Sequence, residues 1–422
     1  MNNARHAGLH RLPPGASVNY SSVMPLALRI VATSLLLAAT LSAASASELF
    51  DSCAANAASK WEPGYEGVGP VDVGTFYAYD AITECQAALA EDPSNFQLMA
   101  WLGNAYVADN QAPKAVPLLE PAASAGNVVA LRALGDLLIL GKGIGQDKPR
   151  GVELLQQAAG QGFAPALLSL GYSFEFGDGV AVDPAKAMEF YLGAAEAGIV
   201  RAQLIVADHY QRGIGVPADD DSAFGWLRRA AEAGDPEASY RLGVAYLEGR
   251  GTSPSIDDAL AAFDASSEGY NPRGSAALGY MMELGLGIDE DVEGARSLYY
   301  SGETAHIPAA LHNLARLTES EEPDRARERY EIAARAGQMQ AAVNLALMML
   351  EGSGGPQDIA GALAWTRKAA AGGNAAGLNN LGRMYELGLG VAADAAEARR
   401  LYGEAAALGY ALAADNLARL GD

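Results

Sequence analysis

The sequence predicts an all-α solenoid built from stacked helix-turn-helix units. Three observations point there: a skeleton that recurs every 36 residues or so from Ala130 onward, apolar residues spaced for helices, and a glycine-rich turn at the same place in each copy. Such self-similarity is the mark of repeat architectures, in which each unit buries its apolar face against the next. Alanine and glycine dominate the composition, which suits close-packed helices better than sheets.

Each copy reads Ala, three residues, Leu-Gly, two residues, an aromatic or apolar residue, two residues, then Gly-x-Gly-Val. An Asp follows, then Ala, an apolar residue three further on, Ala-Ala and a closing Gly. One copy runs Ala166, Leu170-Gly171, Phe174, Gly177-Asp178-Gly179-Val180, Asp183, Ala187, Phe190, Ala194-Ala195 and Gly198. The apolar slot of the second helix holds Trp226 and Leu401 in two other copies. Copies begin at 130, 166, 202, 238, 274, 310, 341 and 377, the one at 310 being shortened.

Each slot has a physical reason. Ala, Leu and the aromatic stand at i, i+4 and i+8, one stripe of a first helix. The Gly after Leu costs about 1 kcal/mol of helix propensity, so it is expected to admit a close neighbour. Gly-x-Gly supplies positive φ for the turn. Asp183-Pro184 is an N-cap followed by proline at the first helical position, and the final Gly fits a left-handed C-cap.

This pattern resembles the Sel1-like repeat family, relatives of the tetratricopeptide repeat with a longer turn between the two helices. The resemblance covers about residues 130–412 and implies a right-handed α-solenoid, with 413–422 as a C-terminal cap. Upstream, Leu102-Gly103, Tyr106, Ala115, Leu119 and Ala122 keep the shorter tetratricopeptide spacing over 98–129. Ala81, Cys85, Ala88 and Asp92-Pro93 look like the second helix of a further such unit, within a capping region at 47–97. Three copies depart from the pattern. That at 310 replaces Gly-x-Gly with Glu319-Ser320-Glu321-Glu322-Pro323, that at 238 has Ser255 and Ser266-Ser267, and that at 341 has the looser Gly352-Ser353-Gly354-Gly355.

Residues 1–46 read as a secretory leader, with Met24 a candidate true start: Arg29, an apolar run from Ile30 to Leu41, then Ala44-Ser45-Ala46. The run is short for a membrane span, so no stable insertion is expected after cleavage. The expected location is the periplasm or the exterior. There the two cysteines, Cys53 and Cys85, most simply form one disulfide; metal binding is the rival reading, poor without a nearby histidine. The net charge is −22, and −25 without the leader. Such a surface repels phosphate backbones, which excludes nucleic acid as a partner.

Catalytic patterns are missing. Every Gly-x-Gly, including the one beside Lys142, occupies the interhelical slot rather than a strand-to-helix turn, which argues against a nucleotide loop. His306 and His312 stand six apart, the wrong spacing for a helical metal pair, and no G-x-S-x-G elbow occurs. Asp219-Asp220-Asp221 and Asp289-Glu290-Asp291 fall in turns, where an N-cap explains them better than calcium. Neither a cofactor nor a metal is expected.

In tetratricopeptide relatives a concave groove is lined by the first helices. Carrying the register over, the third, seventh and tenth residues of each copy would face it. These include Tyr172 and Glu175, Asp208 and Gln211, Tyr240, Tyr280 and Glu283. His312 and Arg316, and then Asn379, Arg383 and Glu386, complete the set. The expected function is a periplasmic scaffold that grips a protein partner and regulates envelope signalling or assembly. The alternative is an envelope-acting enzyme or β-lactam-like small-molecule binder; the relatives behind it carry a cysteine pair in each repeat, whereas this chain has one pair in total.

Overall fold

The structure, a computed structural model, describes residues 46–66, 68 and 78–421. The expected leader lies outside the described residues except for Ala46. Among the described residues there are twenty-one α-helices and no strand. The chain divides into two compact units, one reaching Asp147 and including Gly160–Phe163, the other comprising Lys148–Ala159 and Ala164 onward.

In the first unit, α1 (Ala46–Ala57), α2 (Ala78–Glu91), α3 (Phe96–Ala108), α4 (Ala112–Ser124) and α5 (Val128–Leu140) pack in chain order. Cys53 of α1 and Cys85 of α2 form a disulfide. In the same unit Trp101 of α3 is fully buried, with the Tyr65 ring edge-on at 4.9 Å and the Phe50 ring at 5.3 Å. Its indole N–H donates 2.9 Å to the buried carboxylate of Glu62, which also accepts from Gln97 at 2.5 Å. Burial pushes the Glu62 carboxyl above its ordinary value, and the hydrogen bonds from Trp101 and Gln97 offset part of that rise.

The second unit opens with α6 (Lys148–Gly160). First and second helices then alternate: α7 (Ala164–Phe176) with α8 (Pro184–Glu196), α9 (Val200–Arg212) with α10 (Asp220–Glu232), and α11 (Pro236–Glu248) with α12 (Ile256–Glu268). After them come α13 (Pro272–Leu284) with α14 (Val292–Thr304), α15 (Pro308–Thr318) with α16 (Pro323–Arg335), α17 (Met339–Glu351) with α18 (Ile359–Ala371), and α19 (Ala375–Leu387) with α20 (Ala395–Ala407). The last helix is α21 (Ala411–Leu420). From α7 onward consecutive helices pack on one another, and α11 also touches α13 as α17 touches α19.

The local signals do what their chemistry requires. The carboxylates of Asp183, Asp219, Asp291, Asp358 and Asp394 each accept a backbone N–H in the first turn of a second helix, and the Ser255 hydroxyl does so in α12. The second glycine of the turn also lets units meet. Gly215 sits at φ +71° with its Cα against the backbone of Pro184 at the start of α8, where any Cβ would strike the carbonyl.

The glycine after Leu marks a deeper slot than the one read from the sequence. Phe190 and Trp226 are only half-buried. The residues that follow the apolar slot (Tyr191, Leu227, Phe263, Tyr299, Tyr330 and Tyr402) are 1 % exposed or less. A Cβ at Gly243 would lie 2.6 Å from the Phe263 ring, one at Gly382 2.9 Å from the Tyr402 ring, and one at Gly171 would overlap Tyr191. One residue is about 100° of helix rotation, so the residue aimed at the glycine gap is the next one along. Burying a side chain of this size contributes about 1.5–3 kcal/mol by area.

Candidate functional site

The expected groove residues sort by slot. The tenth residues belong to a repeated clamp. The hydroxyl of Tyr191 donates to Glu175 (2.6 Å), Tyr299 to Glu283 (2.9 Å) and Tyr402 to Glu386 (2.7 Å). Where the buried slot is Leu227 or Phe263 instead, the tenth residue is Gln211 or Leu247, so an acid appears in these copies only opposite a hydroxyl. In the shortened copy Tyr330 finds Glu319 at 3.0 Å. Burial and the adjoining carboxylate both push the tyrosine hydroxyls of Tyr191, Tyr299, Tyr330 and Tyr402 well above their ordinary range, so each stays a donor.

An arginine from the next first helix completes two of these clamps. Arg419 donates twice to Glu386, at 2.6 and 2.7 Å, and with the Tyr402 hydroxyl it holds that carboxyl down at about 2. Arg316 pairs with Glu283, and the imidazole of His209 lies 3.6 Å from Glu175.

The remaining slots are largely occupied too. Arg201 donates 2.6 Å to the Tyr172 hydroxyl, Arg241 donates 2.8 Å to Gln211, and Asp208 pairs with Arg212 at 3.0 Å. Arg273 lies 4.5 Å from the centre of the Tyr240 ring and pairs with Glu237 at 2.9 Å. A ladder of arginines therefore ties successive first helices together. His312 and Asn379 depart from the expected solvent-facing position: both are buried, Asn379 accepting 2.9 Å from Asn416. Burial, with Arg316 nearby, pushes the His312 imidazole below its ordinary value. The third residue faces the neighbouring helix pair because adjacent units press closely there. Arg383 and Tyr280 are exposed.

What slot reasoning missed is a position four residues beyond the seventh, apolar and exposed in three separate copies of the second unit. Phe176, Leu284 and Leu387, each the last residue of a first helix, are exposed, as is Leu347 at the seventh position of α17. The Tyr172 and Phe176 rings stack at 6.3 Å, and Tyr280 stands one helical turn before Leu284. The available signal was an apolar residue directly before the first glycine of the turn, where other copies carry Arg212, Glu248 or Glu351.

Comparison with known proteins accords with this architecture. The Sel1 repeat model matches residues 128–163, 164–199, 200–235, 236–263, 272–302, 340–374 and 375–410. The shortened copy is not among them. A protective antigen present in uropathogenic Escherichia coli strains, described as displaying an SLR fold, is 26 % identical over 81 % of this chain and 83 % of its own, with a TM-score of 0.56. A Sel1 repeat protein from Oxalobacter formigenes is 29 % identical over 80 % of this chain and 90 % of its own, with a TM-score of 0.43. No curated protein matches the chain.

Proposed function

Because the chain belongs to the Sel1 repeat family, whose repeats fill more than half of it, we propose that it is a non-catalytic scaffold that grips a protein segment outside the cytoplasm. Sel1 and tetratricopeptide repeats typically serve protein interaction. The observation that carries the reading is a set of exposed apolar side chains on first helices of the second unit, Phe176, Tyr280, Leu284 and Leu387, beside carboxylates already held by arginines such as Arg316 and Arg419. Aromatic residues such as Phe176 and Tyr280 are enriched at protein interfaces.

An oxidising location is supported by the Cys53–Cys85 disulfide, since such bonds persist outside the reducing cytosol, and by the leader expected at 1–46. The description of the Escherichia coli relative as a protective antigen is compatible with exposure beyond the cytoplasm. We extend the reading to a role in envelope signalling or assembly, which such a location and a scaffold fold would suit.

The test places a photo-crosslinking residue at Phe176 or Tyr280, with Glu189 of α8 as a control position on a second helix. One protein should be captured from the first two sites and lost on combining Tyr280→Ser, Leu284→Ser and Leu387→Ser, with the circular dichroism melt unchanged. Equal capture from all three positions would refute the assignment of these side chains.

A further inference from the structure

Three departures from the repeat converge on one cavity in the second unit. The first is the shortened turn, which leaves only Glu319–Glu322 between α15 and α16. The second is Arg329 of α16, which takes the slot held elsewhere by Phe190, Trp226, Leu298, Trp365 or Leu401. Although an arginine, it is 2 % exposed. Its Nε donates 2.7 Å to Glu303 of α14, and its Nη1 donates to Thr318 at 2.8 Å and Glu322 at 3.1 Å. The third is His306, which stands where most copies have the closing glycine and holds φ +55°. Non-glycine residues kept in that region gather at functional sites more than elsewhere.

His306, Glu303, Arg325, Glu328 and Arg329 wall a cavity of about 400 Å³, with Leu311 and Ile332 as its apolar side. Its polar groups are incompletely matched. Arg329 Nη2 is buried without a hydrogen-bond partner. Glu328 is in no ion pair among the described residues, and Arg325 reaches its nearest acid, Glu322, only at 3.8 Å. A buried donor left without a partner is unfavourable and rare in native proteins.

The charges of the walls choose the ligand. Glu303 and Arg329 already pair with each other, which leaves Glu328 on one side and Arg325 with the Nη2 of Arg329 on the other. A molecule carrying both signs matches them. We propose that this cavity binds a free α-amino acid with an apolar side chain. Its carboxylate accepts from Arg329 Nη2 and Arg325, its ammonium donates to Glu328, and its side chain lies against Leu311 and Ile332. The cavity lies mainly on the second helices α14 and α16, with the buried Leu311 of α15 behind it, and shares none of the exposed first-helix residues, so it is independent of the scaffold reading.

Isothermal titration of the full chain with L-leucine, L-valine and L-phenylalanine tests this. At least one should bind with one molecule per chain. The N-acetyl derivative and the methyl ester of the best binder should each bind about tenfold weaker or less well, as loss of one charge-assisted contact requires. Because Arg329 also brackets three segments, the variants are Glu328→Gln, on the surface, and His306→Gly. Glu328→Gln should weaken binding about tenfold without moving the melting temperature. His306→Gly should raise the melting temperature, by returning a left-handed position to glycine, yet weaken binding. No heat from any of the three at millimolar concentration, equal binding of the N-acetyl derivative, or unchanged affinity in both variants would each overturn the proposal.

Discussion

The Tyr191 hydroxyl donates a 2.6 Å hydrogen bond to the Glu175 carboxylate, sixteen residues earlier on the other helix of the same copy. The same pairing recurs at Tyr299–Glu283 and Tyr402–Glu386. In this protein the acid is the answer to a buried phenol, which would otherwise lose its water with nothing in return.

Tyr402→Phe should therefore cost about 1.5–3 kcal/mol, the range for a hydrogen bond to a charged group. Urea denaturation measures it. Phe190→Leu, one position off the buried slot, should cost less than half as much, and equal losses would contradict the slot assignment.

Glu386 is held at about 2, below its ordinary 4.5, first by Arg419 and then by Tyr402. The sign follows from linkage. A lowered carboxyl contributes stability that is present above 4.5 and is lost as pH falls through about 2. Arg419→Met should move the Glu386 titration, followed by NMR, back toward the ordinary value, and an unmoved titration would refute the pairing.

Gly171→Ala and Gly225→Ala should have opposite signs. Both glycines are helical, but a Cβ at Gly171 would overlap the Tyr191 ring, whereas one at Gly225 meets nothing within 4 Å. The first should destabilise by about 1–3 kcal/mol through overpacking. The second should stabilise by about 0.5–1 kcal/mol through helix propensity and the unfolded chain. Thermal melts of the two variants decide it.

Glu62 gives the first unit the reverse pH dependence. Its folded value is raised by burial, so its contribution is fully present below the ordinary 4.5 and is lost as pH rises through the higher folded value. Denaturation followed by tryptophan fluorescence should show this slope in the native chain and its disappearance in Glu62→Gln. A slope that survives the substitution would assign the effect to another group.

Removing the disulfide with Cys53→Ala and Cys85→Ala should cost the first unit about 3–4 kcal/mol in the chain-entropy account, given a separation of 32 residues. Hydrogen exchange should quicken in α1 and α2 before any helix of the second unit. Uniform quickening would mean that the two units do not unfold separately.

The sequence by itself determined the repeat and the chemistry of its caps and glycine turns. Those features rest on interactions within a few residues: Asp183 capping the helix that Pro184 begins, or a glycine supplying positive φ. Slots ten and twenty-six of a copy, by contrast, are chemically linked only once two helices are docked. Only the tertiary structure decided that Tyr191 rather than Phe190 is the buried ring, and that Glu175 is committed to it. It also decided that His312 and Asn379 turn inward. The positions of Arg329 and His306 in the repeat could be read from the spacing, but that both departures wall one cavity could not. A helix turns about 100° per residue, so a register that looks equivalent along the chain points somewhere else once neighbouring helices close on it.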